Sequence, residues 1–78
     1  MDDWQIKENK LERNFEFKDF NEALNFVNKV GELAEEDQHH PDILLHSYNK
    51  VHITLTTHDK GSKVTEKDLK LAKKIDEI

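Results

Sequence analysis

A chain of 78 residues with five histidines, no cysteine and a formal net charge of −5 has room for one domain, spanning 1–78. A domain this small buries only about 60% of the surface its unfolded chain exposes, so its core is marginal and oligomerisation is an expected source of further stability. Without cysteine there is no disulfide framework, thiolate metal site or thiol nucleophile. The excess of acidic residues argues against a phosphate-neutralising surface, and nucleic acid is not an expected partner.

No apolar run approaches the ~18 residues of a membrane span. Met1-Asp2-Asp3-Trp4 lacks the basic and apolar regions of a signal peptide. A cytoplasmic protein without membrane association is expected. Charged residues make up 37% of the chain, but the apolar residues fall in periodic segments, which argues for a folded chain.

Trp4–Glu8 and Leu11–Phe17 both alternate apolar and polar residues around Asn9-Lys10, with Leu11, Phe15 and Phe17 in phase. This predicts a β-hairpin turning at Asn9-Lys10. Asp19 is placed to cap a helix running to about Glu36, whose inner stripe reads Phe20, Ala23, Leu24, Val27, Val30, Gly31 and Ala34, flanked by Phe26 and Leu33. Gly31 lies where a small residue allows close packing.

Glu35-Glu36-Asp37-Gln38-His39-His40-Pro41 follows, and the rest of the chain is organised around it. Pro41 pushes His40 into extended backbone, so the adjacent histidines sit where the helix stops. Two imidazoles titrate near neutrality, and a nearby carboxylate can hold one in a chosen tautomer. Glu35, in the last helical turn, faces the negative end of the helix dipole and calls for a protonated neighbour, His39 or His40.

Val51–His58 is the cleanest strand, with Val51, Ile53 and Leu55 on one side and His52, Thr54, Thr56 and His58 on the other. A turn at Asn49-Lys50 would pair it with Ile43–Tyr48 and set His46 on the apolar face, as a satisfied or edge histidine. Asp59–Ser62 reads as a turn, and Thr65 to Asp68 as a capping box opening a last helix. That helix has Asp68, Leu71, Ala72 and Ile75 inside. Asp68 is thus a capping carboxylate at the head of an apolar stripe.

The order is ββαββα, an α+β fold: a four-stranded antiparallel sheet with two helices on one face. Glu35, three residues, His39-His40-Pro41, six residues, Tyr48, nine residues, His58, nine residues, Asp68 is the spaced signature of a known family. With Tyr48-Asn49-Lys50-Val51, Leu55-Thr56-Thr57-His58, Leu71-Ala72 and Ile75-Asp76 around it, the chain resembles the pterin-4a-carbinolamine dehydratases from about Phe15 to Ile75. It departs in three respects. Members usually carry an additional N-terminal helix; the turn after His58 commonly has two glycines where this chain reads Gly61-Ser62-Lys63; and the Pro41–Tyr48 segment is at the longer end of the range.

The resemblance implies a lyase, needing neither metal nor prosthetic group, that dehydrates 4a-hydroxytetrahydropterin to the quinonoid dihydropterin. It implies His39, His40 and His58 around the pterin as acid and base, with Glu35 orienting an imidazole or contacting substrate. Thr56 and Thr57 would offer strand backbone to the ring, and Asp68 would shape the site by holding His58. A dimer or tetramer is implied as well. Two other readings stand beside it: a zinc site built on the histidines, and a non-catalytic binding or assembly module, since related domains serve as dimerisation partners or assembly factors.

Overall fold

The computed structural model describes residues 3–58 and 61–78. Its elements are β1 (Gln5–Lys7), β2 (Lys10–Glu16), α1 (Phe20–Asp37), β3 (Asp42–His46), β4 (Lys50–Leu55) and α2 (Glu66–Asp76), the ββαββα order that the hydrophobic patterns predict. The strands form one antiparallel sheet in the order β1-β2-β4-β3. Leu11 of β2 and Val51, Ile53 and Leu55 of β4 share a core cluster with Ala23, Phe26, Val30 and Ala34 of α1 and with Leu71, Ala72 and Ile75 of α2. The alternation that makes β4 legible is therefore real: its apolar set meets the helices, and His52 and Thr54 take the other face.

Both hairpin turns differ from expectation, the first by one residue and the second by a three-residue shift of register that sets His46 opposite Lys50 instead of Ile53, each for a local reason. Lys7 pairs with Lys10, so the first turn is Glu8-Asn9, both left-handed at φ 52° and 65°. Two consecutive left-handed residues make the turn whose twist matches that of the flanking strands. The second turn is Ser47-Tyr48-Asn49 rather than Asn49-Lys50, with Ser47 and Tyr48 left-handed and His46 opposite Lys50. Asn49 is committed elsewhere: its carbonyl accepts the Phe17 N–H at 2.9 Å and its side-chain amide donates to the Phe17 carbonyl at 2.9 Å. The strand end is pinned to β2, and the turn moves back along the chain. His46 consequently lies on the polar face with Lys50, His52 and Thr54, not on the apolar face.

α1 begins where Asp19 accepts the Glu22 N–H at 2.9 Å. Its buried stripe is rotated from the expected one: Phe26 is in the core, while Phe20 and Leu24 are 49% and 39% exposed. Phe15 and Phe17 draw Phe26 inward, with ring centroids 4.7 and 4.9 Å away. Gly31 does not serve close packing, since a methyl group there would meet nothing within 4 Å. α2 matches its expected inner face residue for residue, and Thr65 and Asp68 form the capping box. The turn read at Asp59–Ser62 lies in part outside the described residues; Gly61, within them, has φ +81°. Among the described residues no helix is long and apolar enough to cross a membrane.

Candidate active site

The end of α1 places the two histidines. Gln38 turns left-handed, its N–H donates to the Glu35 carbonyl at 3.2 Å, and the His39 N–H donates to the Ala34 carbonyl at 3.1 Å. This is the paired closure of a Schellman motif, which satisfies carbonyls that the ending helix leaves open. The Gln38 side chain adds a bond to the Glu35 carbonyl at 2.7 Å. His39 is thus aimed by the backbone of the helix end, and Pro41 then sends the chain into β3.

The two imidazoles part company. His39 Nε2 lies 2.5 Å from Asp68 Oδ1, with the His39 side chain 13% exposed and the Asp68 side chain fully buried. His40 Nε2 lies 2.9 Å from Glu35 Oε1, and both of those side chains are exposed. The neighbour called for by Glu35 is therefore His40. A buried carboxylate paired with an imidazole is a strong and oriented contact, whereas the exposed pair is worth at most about 1 kcal/mol.

Asp68 bonds His39 and not His58, the partner that the family resemblance implies. Its Oδ1 is taken by His39, while Oδ2 accepts the Thr57 hydroxyl at 2.9 Å and the Thr65 N–H at 2.9 Å. The capping geometry explains this choice: the first turn of α2 aims Asp68 back along its own N-cap, toward the end of β4 and the loop after α1. His58 is exposed, with Ser62 Oγ 3.4 Å from its Nδ1. It follows directly on Thr57, whose hydroxyl donates to the carboxylate that holds His39.

Thr56 and Thr57 are both buried, and their bonds are internal. The Thr56 hydroxyl donates to the Asn9 carbonyl at 3.1 Å, pinning the first hairpin turn to the end of β4. Thr57 exchanges backbone bonds with Lys63 at 2.9 and 3.2 Å. The backbone N–H and carbonyl of Thr57 are thereby occupied within the chain.

Sequence reasoning missed two supporting residues. Thr65, a cap by its sequence pattern, also touches Thr57, with the hydroxyl oxygens 2.7 Å apart. Lys74 Nζ lies 2.6 Å from Asp37 Oδ1 and ties α2 to the last turn of α1. That contact holds the Asp37 carboxyl below, and the Lys74 ammonium above, their ordinary values, chiefly through the hydrogen bond between them. His39 also lines a hollow of about 270 Å³ with Glu36, Asp37, Gln38, Lys67 and Lys70. No group of three or more His, Asp or Glu side chains is placed to hold a metal ion among the described residues.

This arrangement can transfer protons: one imidazole oriented from behind by a buried carboxylate, a second beside an exposed carboxylate, and a third one residue beyond the threonine that touches the buried carboxylate. Comparison with known proteins gives a consistent picture. Residues 1–78 match the model of the family described as pterin 4 alpha carbinolamine dehydratase. A provisionally named pterin-4-alpha-carbinolamine dehydratase of Sulfurisphaera tokodaii is 51% identical over all 78 residues, which cover 82% of its length. One of Thermomicrobium roseum is 51% identical over 75 residues, covering 96% of this chain and 78% of the relative. The crystal structure of a transcriptional coactivator/pterin dehydratase from Brucella melitensis superposes with a TM-score of 0.90 at 38% identity, over 99% of this chain and 82% of that one. A pterin dehydratase-like protein identified as a RuBisCO assembly factor in the alpha-carboxysome does so at 0.74 with 27% identity, over 95% of this chain and 83% of that one.

Proposed function

The chain belongs to the pterin 4 alpha carbinolamine dehydratase family, and on that premise we propose that it dehydrates 4a-hydroxytetrahydropterin to the quinonoid dihydropterin by histidine acid/base catalysis. The observation that carries this reading is the His39–Asp68 pair, 2.5 Å apart and closed off from water on the carboxylate side. The reaction breaks the C4a–O bond, with the oxygen leaving as water after it gains a proton. The N5–H bond gives up its proton, and its electrons form the new N5=C4a bond. A proton donor and a proton acceptor near the working pH are therefore both needed, each worth about 100- to 10,000-fold.

His39, His40 and His58 are the proposed donors and acceptors. Asp68 holds His39 in one tautomer, and Glu35 orients His40. Thr56 and Thr57 build the wall of the site. No metal or prosthetic group is required by this chemistry. The protein acts in the cytoplasm as a homo-oligomer, for which the exposed Phe20, Leu24 and Leu44 offer apolar surface.

The test is the rate of 4a-hydroxytetrahydropterin dehydration, followed by absorbance, for wild type and His39→Ala together. Acceleration by wild type alone supports the reading; a folded wild type without activity overturns it. A second reading, a protein-binding or assembly module, has one observation in its favour, the fold shared with the RuBisCO assembly factor. Inactive wild type that captures one protein partner at fixed stoichiometry would favour it.

A further inference from the structure

We propose that Thr57 is a positioning residue: with Thr65 behind it, its hydroxyl fixes the Asp68 carboxylate so that His39 presents Nδ1, not Nε2, to the substrate. This inference rests on the dehydratase reading for its consequence in turnover, but the geometry stands without it.

The hydrogen-bond directions follow from counting donors. The Lys67 N–H donates to Thr65 Oγ1 at 3.3 Å, so that oxygen accepts there. Asp68 Oδ2 is 2.9 Å from Thr57 Oγ1 and 2.9 Å from the Thr65 nitrogen. An ionised carboxylate only accepts, so the single hydroxyl hydrogen of Thr57 goes to Asp68. At the 2.7 Å contact between the two hydroxyls, Thr65 must then be the donor. The run is Lys67 N–H to Thr65, Thr65 to Thr57, and Thr57 to Asp68, with every hydrogen assigned.

Oδ2 is filled by these two donors, which leaves Oδ1 for His39 Nε2 at 2.5 Å. Two donors, the Thr57 hydroxyl and the Thr65 N–H, already converge on this fully buried carboxylate, the surroundings of an ionised group; an ionised carboxylate only accepts, so Nε2 brings the hydrogen. The neutral imidazole then carries its lone pair on Nδ1. Asp68 has a double duty here, since the bond from the Thr65 N–H is also half of the capping box that starts α2. Folding of that helix and selection of the imidazole tautomer are one event. Thr57, two residues beyond the end of β4, is the member that α2 formation does not itself require.

The test compares wild type, Thr57→Ser and Thr57→Val by nitrogen-15 NMR of the imidazoles and by dehydration rate. In wild type the His39 ring should be in the Nε2–H tautomer, and Thr57→Ser should keep it with turnover within about threefold. Thr57→Val, without the hydroxyl, should give a mixture of tautomers and lose about tenfold or more in turnover, while the His46 and His52 signals stay put. A Thr57→Val protein with the wild-type tautomer and rate overturns the proposal. If that variant fails to fold, the wild type still decides: a slowly exchanging Thr57 hydroxyl proton close to Asp68 supports the proposal, and a freely exchanging one overturns it. If wild type has no dehydratase activity, the tautomer measurement judges Thr57 alone, and only the reading of the reaction falls.

Discussion

Lys74 Nζ stands 2.6 Å from Asp37 Oδ1, joining α2 to α1 two residues before His39. The pair secures the helix end that aims the imidazole. Its pH dependence has a definite sign. Asp37 is held below its ordinary value, so its stabilising contribution is complete above about pH 5 and is lost as pH falls through the lowered value. Lys74 is raised, so its contribution is complete below about pH 10 and is lost as pH rises through the raised value. Urea midpoints of wild type and Lys74→Met should therefore differ by a constant amount near neutrality and converge at both extremes. A difference that persists unchanged at about pH 2 would mean that Lys74 acts through packing of its stem rather than its charge.

Asp68→Asn separates orientation from folding. An amide oxygen can still accept from Thr57 and Thr65, so the cap of α2 survives. The amide nitrogen, however, donates where the carboxylate accepted, and His39 Nε2 must then accept, which moves its hydrogen to Nδ1. Turnover should fall by about 100-fold or more with the fold intact. Asp68→Ala should instead unfold more easily, since the part-buried Thr65 N–H loses its capping acceptor, at about 1–3 kcal/mol, and the Thr57 hydroxyl keeps only Thr65 Oγ1 as a partner. Circular dichroism melts beside rates distinguish the two; equal melts for both variants would count against a role for Asp68 in capping.

His39→Ala should lose most activity while keeping the fold, because the side chain belongs to the loop after α1 and not to the core. A modest loss of stability, about 1–3 kcal/mol, is expected from leaving Asp68 Oδ1 unpaired. His46→Ala should do neither. Its ring lies on the polar face opposite Lys50, with Ser47 Oγ 3.2 Å from its Nδ1, so stability should stay within about 0.5 kcal/mol and turnover near wild type. Comparable losses in the two variants would show that the outer face of the sheet takes part in catalysis.

These contrasts mark where the sequence was legible. β4 and α2 could be read because each has one face on the core, so period 2 and period 3.6 stand out in the residue types. The turns slipped because left-handed backbone falls on Glu8, Ser47 and Tyr48, none of them a glycine. Asn49, an ordinary turn residue, is instead consumed by Phe17. The signature is legible along the chain, but it could not say that Asp68 meets His39 and not His58, since both lie far from it in sequence. That choice is made by the direction of the first turn of α2, a tertiary fact.

The rotated stripe of α1 leaves apolar side chains on the surface. Phe20, Leu24, Val27 and Gly31 recur at spacings of four, three and four, the seam of one helix against another, yet Phe20 and Leu24 face out at 49% and 39% exposure. A surface helix of a small domain gains nothing by exposing these side chains, and burying them is worth roughly 25 cal/mol for each Å² covered. The double variant Phe20→Asp/Leu24→Glu should therefore shift the protein toward monomer in size-exclusion chromatography with light scattering, with its helix content unchanged. Asp at the first position of α1 also suits the positive end of the helix dipole, so folding should not suffer. A wild type that is monomeric at about 100 μM, a concentration where contacts of roughly 6 kcal/mol or stronger would register, would remove the homo-oligomer proposal. An oligomeric double variant would move the interface to another apolar patch, of which Leu44 on β3, 57% exposed, is the first to substitute.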